Sequence, residues 1–124
     1  MNSDDTIEMI CRMPRDFRTR DVSMVQLLQE SGYTECPGQI TEDLIREYVD
    51  AHRENIAAWR RYSDDQRCGP SWFFRNKGIG HVAKSGKVEV EQEYPTEAEA
   101  CAAYIKRMMD QFSENRRTSG GTVR

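Results

Sequence analysis

The second half of this chain constrains its fold most strongly, because short strand-like runs separated by turn signals give way there to a helical pattern. Residues 71–76, 80–84 and 87–94 each have the composition of a β-strand, and residues 85–86 are expected to form a turn between the last two. A helix follows, opened by a capping box at residues 96–99. This order predicts a three-stranded antiparallel meander followed by a helix.

Helical patterns also precede the strands. Residues 4–13 predict a short helix that Pro14 stops, and a capping box at residues 23–26 opens a second helix. Thr41 is positioned to cap the longest predicted helix, residues 42–62. The first half of the chain is therefore expected to be helical.

Two of these helices carry an apolar stripe that is expected to pack on the sheet. The stripe of the longest helix covers an arc of about 140° at roughly 100° per residue. Its members are Leu44, Ile45, Tyr48, Val49, His52, Ile56, Trp59 and Tyr62. The last helix presents Ala98, Cys101, Ala102, Ile105, Met108, Met109 and Phe112. The stripes predict an α+β fold in which N-terminal helices precede the meander and the C-terminal helix packs on the sheet, with Trp59 and Ile105 in the core.

Length and charge narrow the class of protein. The chain has 124 residues, and residues 1–112 are expected to form a single α+β domain with a core of its own. Residues 113–124 lack an apolar period and are expected to form a mobile tail. The net charge of −3 argues against a nucleic-acid-binding surface and suits a basic protein partner.

The cysteines and the start of the chain predict a cellular location. Cys11, Cys36, Cys68 and Cys101 form no C-x-x-C pair, so reduced, structural thiols are expected in place of a disulfide framework. No apolar run approaches the roughly 18 residues of a membrane span, and the acidic start is unlike a secretory signal. We therefore expect a cytoplasmic protein that does not enter the membrane.

Simple alternation along the third strand places its glutamates in a row on one face, opposite its apolar residues. With the glutamates of the next helical turn they make the densest acidic patch of the chain. The patch comprises Glu89, Glu91, Glu93, Glu97 and Glu99, with Asp64 and Asp65 at its rim. Two interpretations stay open. The patch is either a solvated face that favours solubility, or a partner-docking surface, since like charges on one strand cost repulsion that solubility does not require.

The candidate catalytic residues form no recognised motif. His52 lies within the apolar stripe and His81 opens a strand, and neither is spaced to activate Cys36 or Cys68 as a nucleophile. The same scattered residues lack metal-ligand spacing, so no metal or cofactor is expected. The carboxylates at residues 64–65 fit the polar end of a helix better than a catalytic pair. These observations favour a binding protein over an enzyme.

Residues 41–112 resemble the double-stranded RNA-binding domain in the order helix, three antiparallel strands, helix. That family needs basic residues at the start of its last helix to reach phosphates. This chain carries Glu97 and Glu99 there. The resemblance is one of topology alone, and no nucleic-acid partner is expected.

A second resemblance rests on composition and order across residues 41–109. It is carried by WRRYSDDQR at residues 59–67, GPSWFF at 69–74, YP at 94–95 and ACAAYI at 100–105. In these segments the chain is similar to small bacterial immunity proteins of contact-dependent inhibition and other polymorphic toxin systems. The resemblance implies a cytoplasmic antidote that binds a toxin domain, often a basic nuclease, and does no chemistry. It assigns no individual binding residue.

The sequence leaves three functions to be distinguished. The leading hypothesis is an immunity-type inhibitor that masks the active site of a cognate toxin by shape and charge. The alternatives are a regulatory or adaptor domain with another protein partner, and a small enzyme with a Cys/His or carboxylate site. A pocket holding His52 or His81 against Cys68 would favour the enzyme, whereas an uninterrupted core with an exposed acidic and aromatic patch would favour binding.

Overall fold

The computed structural model describes residues 2–65, 71–82 and 88–121 of the chain. Its helices are α1 (Ser3–Cys11), α2 (Met13–Thr19), α3 (Met24–Ser31), α4 (Glu42–Ala51), α5 (Glu54–Asp65) and α6 (Glu97–Gly121). Its strands, which lie between α5 and α6, are β1 (Ser71–Arg75), β2 (Gly78–Val82) and β3 (Val88–Glu93). Two 3-10 turns, Tyr33–Glu35 and Pro37–Gln39, link α3 to α4. The predicted α+β fold, with an antiparallel sheet and a C-terminal helix packed on it, is confirmed.

Helix starts follow the predicted capping chemistry. The Ser23 hydroxyl accepts a hydrogen bond from the Gln26 backbone N–H at 3.1 Å, and the Thr41 hydroxyl accepts one from the Leu44 N–H at 3.3 Å. Thr96 caps α6 in the same way, at 3.2 Å. Each hydroxyl satisfies a backbone donor that the first helical turn leaves without a partner.

The prediction of a single helix over residues 42–62 is wrong. α4 ends at Ala51 and α5 begins at Glu54, and His52 between them has non-helical backbone angles (φ −132°, ψ 70°). The break lets α4 pack against α1 and α6 while α5 packs against α2 and β1. His52 consequently leaves the apolar stripe and is exposed, and its ring stacks on Tyr48 at a centroid distance of 4.1 Å.

The three strands form one sheet in the order β1-β2-β3, with both pairs antiparallel. Phe74 of β1 lies opposite Ile79 of β2, and both side chains are fully buried on the face that packs against α6. Trp72 shares this face and is partly buried at the edge of the core. Phe73 points to the other face, beside Gly80, and is buried there. The three consecutive aromatic side chains of β1 are therefore all buried or partly buried.

A bulge in β3 breaks the alternation expected from the sequence. Ile79 lies opposite Gln92 and Gly80 lies opposite Val90, so Glu91 is the additional residue on β3. The residues before and after a bulge alternate out of step with each other. The prediction that all the glutamates of this strand stand in one row on one face is therefore wrong.

Trp59 of α5 is buried in the core, as predicted. Its side chain is fully buried, and its indole N–H donates a hydrogen bond to the Cys11 carbonyl oxygen at 2.9 Å. The Trp59 ring meets Tyr104 of α6 edge-on at a centroid distance of 5.9 Å, and Tyr104 stacks on Phe74 at 5.8 Å. Ile105 is also fully buried, as predicted. This chain of rings ties α1, α5, α6 and β1 together.

The last helix is longer than the sequence predicted. α6 continues to Gly121, whereas the loss of apolar periodicity placed its end at Phe112. The predicted apolar face of α6 is buried. α6 packs against the helices α3 and α4 and also against the strands β1 and β2. Both halves of the fold therefore contact α6. The single domain over residues 1–112 and the mobility of residues 113–124 stay predictions.

Candidate functional site

The first turns of α4 and α6 face each other, and both carry acidic side chains. Glu42 and Asp43 occupy the first turn of α4, and Glu97 and Glu99 occupy the first turn of α6. Carboxylates interact favourably with the partial positive charge of a helix N-terminus, so each helix tolerates this cluster at its own start. Packing of α4 on α6 then concentrates negative charge where the two starts meet.

A groove of about 340 Å³ lies between these two first turns. We call it the α4–α6 groove; it is lined by Glu42, Asp43, Arg46, Tyr94, Glu99 and Ala102. Three carboxylates outnumber one guanidinium, so the groove carries net negative charge. Glu42 and Asp43 are exposed, while Tyr94 and Glu99 are half-buried. The groove thus combines accessible carboxylates with one aromatic wall.

Tyr94 is fixed in this wall by the chain just after β3. Its backbone N–H donates a hydrogen bond to the Lys77 carbonyl oxygen at 2.8 Å, which anchors it to the turn between β1 and β2. The pKa of Tyr94 is raised, mainly by burial and next by the charge of Glu42. Arg107 lowers this pKa, and Glu99 raises it. The phenol is therefore protonated at neutral pH and offers an O–H to a partner.

The structure separates the two glutamates predicted at the start of α6. Glu97 forms an ion pair with Arg60 of α5, so its charge is already compensated within the protein. Glu99 instead lines the α4–α6 groove with Glu42 and Asp43. Of the predicted acidic patch, Glu99 is the member that the fold brings into this groove.

The glutamates of β3 lie in three different surroundings. Glu89 is opposite His81 in the sheet, and Glu93 is opposite Gly78. Because His81 and Gly78 are three residues apart on β2, Glu89 and Glu93 belong to opposite faces. Glu91, the bulge residue, places a carboxylate oxygen 3.1 Å from His81 Nδ1.

His81 belongs to a stack of rings and charges beside this strand. Its ring lies 3.8 Å from that of Trp72, centroid to centroid. The guanidinium of Arg107 lies over the Trp72 ring at 4.7 Å. The Glu91 carboxylate contacts the His81 ring of this stack. The His81 side chain is exposed.

The two predicted rim residues lie at the end of α5. Asp64 is exposed in its last turn. The backbone of Asp65 belongs to the same turn, and its side chain falls outside the part of the chain that the structure describes. Asp64 does not line the α4–α6 groove. A role of the predicted acidic residues in partner binding stays a prediction.

The predicted candidates Cys36 and His52 both contact backbone carbonyl groups of their own segments; the Cys36 thiol donates to the Gly32 carbonyl oxygen at 3.6 Å. His52 Nδ1 lies 3.0 Å from the Tyr48 carbonyl oxygen, at the end of α4. Cys11 and Cys101 are buried, and burial raises the pKa of both thiols, which keeps them from forming the nucleophilic thiolate at neutral pH. Cys68 lies outside the described residues. Within residues 2–65, 71–82 and 88–121, no cluster of three or more His, Cys, Asp or Glu side chains is placed to hold a metal ion.

The groove contains residues that the sequence analysis did not select. Glu42 and Asp43 follow the predicted cap Thr41, so the sequence indicates that they lie at a helix start. It does not indicate that Glu99 lies across a groove from them. Tyr94 was predicted on the core side of β3; it does pack against the core, partly buried, and it also forms a wall of the groove. Only the packing of α4 on α6 brings these residues together.

Comparisons with known proteins give no relative from which a function is transferred. No protein-family model, no curated protein and no solved structure matches this chain. Among the described residues, none of the helices is long and apolar enough to cross a membrane.

Proposed function

We propose that this protein is a protein-binding inhibitor of the immunity type, which neutralises a cognate bacterial toxin in the cytoplasm by covering its active site. The observation that carries the proposal is the α4–α6 groove, where Glu42, Asp43 and Glu99 surround the half-buried ring of Tyr94. The resemblance of residues 41–109 to small immunity proteins supports the same class of function.

The chemistry of the groove suits a basic partner. A lysine or arginine side chain entering it meets carboxylates from two helices at once. Its aliphatic stem can lie along Tyr94, because long basic side chains bury their methylene groups against apolar surfaces. A toxin that binds nucleic acid carries such side chains around its active site. Binding there would exclude the substrate without any chemical step by the inhibitor.

Rigid anchoring of the groove also supports binding. α4 and α6 are capped by Thr41 and Thr96, and both helices pack into the buried core. A preformed site avoids the entropy cost of ordering loops on association. Carboxylates presented in this way act mainly on the rate of association and on its dependence on salt.

The test uses the toxin domain encoded next to this chain, expressed in an inactive form for binding and in an active form for survival. A Glu42→Lys/Glu99→Lys variant should associate about tenfold more slowly at low salt, and its rate should depend less on ionic strength. Glu47→Lys/Glu54→Lys is the matched control with the same change in net charge, because both residues are exposed and neither lines the groove. Association rates come from surface-based kinetics, and growth of co-expressing cells reports neutralisation.

Equal association rates for the double variant and the wild type would exclude the groove as the docking site. If the neighbouring gene encodes no domain that this chain binds, the immunity function itself is wrong. Thermal unfolding of each variant establishes that the fold is intact before the rates are compared.

A further inference from the structure

The link between α4 and α5 consists of two residues, His52 and Arg53. Neither residue breaks helices, and the Ala51 before them is the strongest helix former. Two turn bonds of 3.0 Å hold the bend, from the backbone N–H groups of Asn55 and Ile56 to carbonyl oxygens three residues earlier. A continuous helix would pair each of these N–H groups with the carbonyl oxygen four residues earlier. The bend is therefore imposed by its surroundings, since the local sequence permits an uninterrupted helix.

A single helix over α4 and α5 would keep the same side chains on one side. At roughly 100° per residue, Ile45, Val49, Ile56 and Trp59 fall within an arc of about 80°. All four side chains are buried in the bent form. Straightening the link therefore needs no apolar residue to turn away from the others. The local pattern favours a straight helix that the bent chain does not adopt, which is a conflict between local and tertiary preference.

The core of the protein spans this link. The N-terminal part, α1 to α4, packs on the C-terminal part, α5 to α6, through contacts of α3 and α4 with α6 and of α2 with α5. The Trp59 indole N–H donates to the Cys11 carbonyl oxygen at 2.9 Å. The Tyr33 hydroxyl donates to Asp110 at 2.7 Å. The buried side chains of both parts form one cluster, so each part needs the other to cover its apolar face.

We propose that the link opens into a continuous helix and that two copies of the chain exchange their N-terminal parts, which gives a domain-swapped dimer. In this dimer, α1 to α4 of one copy pack on α5 and α6 of the other. The contacts between the parts are made again between the copies, because the surfaces are identical in the two chains. Only the link differs, where the turn bonds become helical bonds.

A second copy is the occupant that the geometry requires. A straight helix from Glu42 to Asp65 is about 36 Å long at roughly 1.5 Å per residue. Straightening moves α4 out of its place on α6 of the same chain, because α5 stays packed on β1 and α6. The uncovered face of α6 is then complementary to α3 and α4, which another copy of the chain supplies. A link this short favours exchange, because it has little length with which to relax the bend.

The exchange changes how the α4–α6 groove is built. In the dimer, Glu42 and Asp43 come from one copy, and Tyr94 and Glu99 come from the second copy. The dimer contains two such grooves, so it presents the proposed docking site twice. The exchange does not depend on the proposed function, because it follows from the link and the core.

The test refolds the full chain from urea at micromolar and at millimolar concentration and measures molar mass by light scattering after gel filtration. We expect the millimolar sample to contain a species of twice the 14.4 kDa chain mass. This species should persist after dilution, because separating the copies requires the core to open. Its far-ultraviolet circular dichroism should show at least the helix content of the monomer.

Variants of the link distinguish exchange from association through the surface. His52→Ala/Arg53→Ala and His52→Gly/Arg53→Gly both remove the two side chains, but glycine disfavours a helix at each position. The dimer association constant of the alanine variant should exceed that of the glycine variant about a hundredfold, since four positions change in each dimer. Ala57→Gly is the control, because Ala57 is exposed and lies within α5 in both forms. It should leave the wild-type association constant unchanged.

Two outcomes would overturn the proposal. If the wild type and the alanine variant both refold only to monomers at millimolar concentration, the link does not open into a helix. If the alanine and glycine variants form dimers equally well, the copies associate through their surfaces without exchange. Thermal unfolding of each monomer establishes that the variants fold, so that a missing dimer is not a misfolded chain.

Discussion

Buried polar side chains of this protein are held by specific hydrogen bonds. Thr6 donates its hydroxyl to the Ser31 carbonyl oxygen at 2.7 Å, which ties α1 to α3. The Ser63 hydroxyl of α5 accepts from the Phe74 backbone N–H at 2.7 Å, which ties α5 to β1. Asn55 differs, because both polar atoms of its fully buried amide lack a partner among the described residues. Stability at the residue scale therefore depends on which polar groups the packing satisfies.

Asn55 gives the first prediction. Replacing it with leucine, which has the same number of side-chain heavy atoms and the same branch at Cγ, should raise the free energy of unfolding by about 1 kcal/mol, because burying an unpaired amide costs about 1–3 kcal/mol. Asn55→Asp should lower it, since a carboxylate is harder to bury. Urea unfolding curves measure both changes. A leucine variant less stable than the wild type would mean that the amide has partners after all.

Trp59 gives the second prediction. Trp59→Ala should lower the free energy of unfolding by about 3–5 kcal/mol, because it opens a cavity in the core and removes the hydrogen bond to the Cys11 carbonyl oxygen. The variant should be barely folded. Trp72→Ala is the comparison, since Trp72 is only partly buried, and should cost less. Guanidinium unfolding gives both values, and an unchanged midpoint for Trp59→Ala would contradict the observed core.

At the scale of elements, the sheet depends on a close approach between β2 and β3. A side chain at Gly80 would collide with the Glu89 carbonyl oxygen and would lie 2.8 Å from the Phe73 ring. Gly80 therefore allows Phe73 to lie against the sheet and allows the strands to pair beside the bulge. The bulge in turn decides which glutamates share a face. One small residue thus governs both the packing and the surface of β3.

Gly80→Ala tests this dependence and is the third prediction. We expect a loss of about 3 kcal/mol, at the upper end for overpacking, because the obstacle is backbone and cannot turn aside. Gly38→Ala is the matched control, since an added methyl group there meets nothing within 4 Å. Thermal unfolding measured by circular dichroism compares them. Equal melting temperatures would show that β3 can move away from β2 at little cost.

At the scale of the whole molecule, α6 joins the N-terminal helices to the sheet. Tyr33, fully buried after α3, donates its hydroxyl to Asp110 at 2.7 Å and accepts a hydrogen bond from Lys106 at 2.6 Å. The Lys106 ammonium also donates to the Pro37 carbonyl oxygen at 2.9 Å. Cys11 of α1 and Cys101 of α6 are buried in the same core. The molecule therefore buries several groups that ionise only at high pH.

Alkaline pH gives the fourth prediction. Burial raises the pKa of Cys11 and Cys101 above the ordinary 9.0, and burial followed by Asp110 raises the pKa of Tyr33 above 10.0. Below pH 9 both the folded and the unfolded chain keep these protons, so the contribution of these groups to the free energy of unfolding is fully present. Above pH 9 the unfolded chain begins to release them while the folded chain keeps them, so the free energy of unfolding falls as pH rises. The fall should reach about 1.4 kcal/mol per pH unit for each group.

Urea midpoints at pH 7, 8, 9 and 10 measure this decline. In a Cys11→Ala/Cys101→Ala variant the decline should begin about one pH unit later, because the remaining groups with raised pKa values are tyrosines, whose ordinary pKa is 10.0. The comparison uses the slope with pH, because the substitutions also change stability at neutral pH. A wild-type midpoint that stays constant up to pH 10 would contradict the burial of these thiols.

The sequence by itself determined the features that depend on neighbours along the chain. The capping residues Ser23, Thr41 and Thr96 mark helix starts because their hydroxyls bond backbone groups three residues away. Hydrophobic periodicity identified the core positions Trp59 and Ile105, and alternation with turn residues identified the antiparallel strands. Local sequence is sufficient to predict these features because the residue pattern that signals each of them lies within one element or its adjoining turn.

Only the tertiary structure decided the features that arise between elements. No glycine or proline marks the break at His52; after it the chain changes direction, so that α4 packs on α1 and α6 while α5 packs on α2, β1 and α6. The bulge at Glu91 arises where β3 pairs with β2, and because of it the glutamates of β3 do not share one face as predicted. The α4–α6 groove brings Glu42 beside Glu99, which are far apart in the chain, because α4 packs on α6. Periodicity describes a single helix or strand, whereas a surface is defined by how several of them meet.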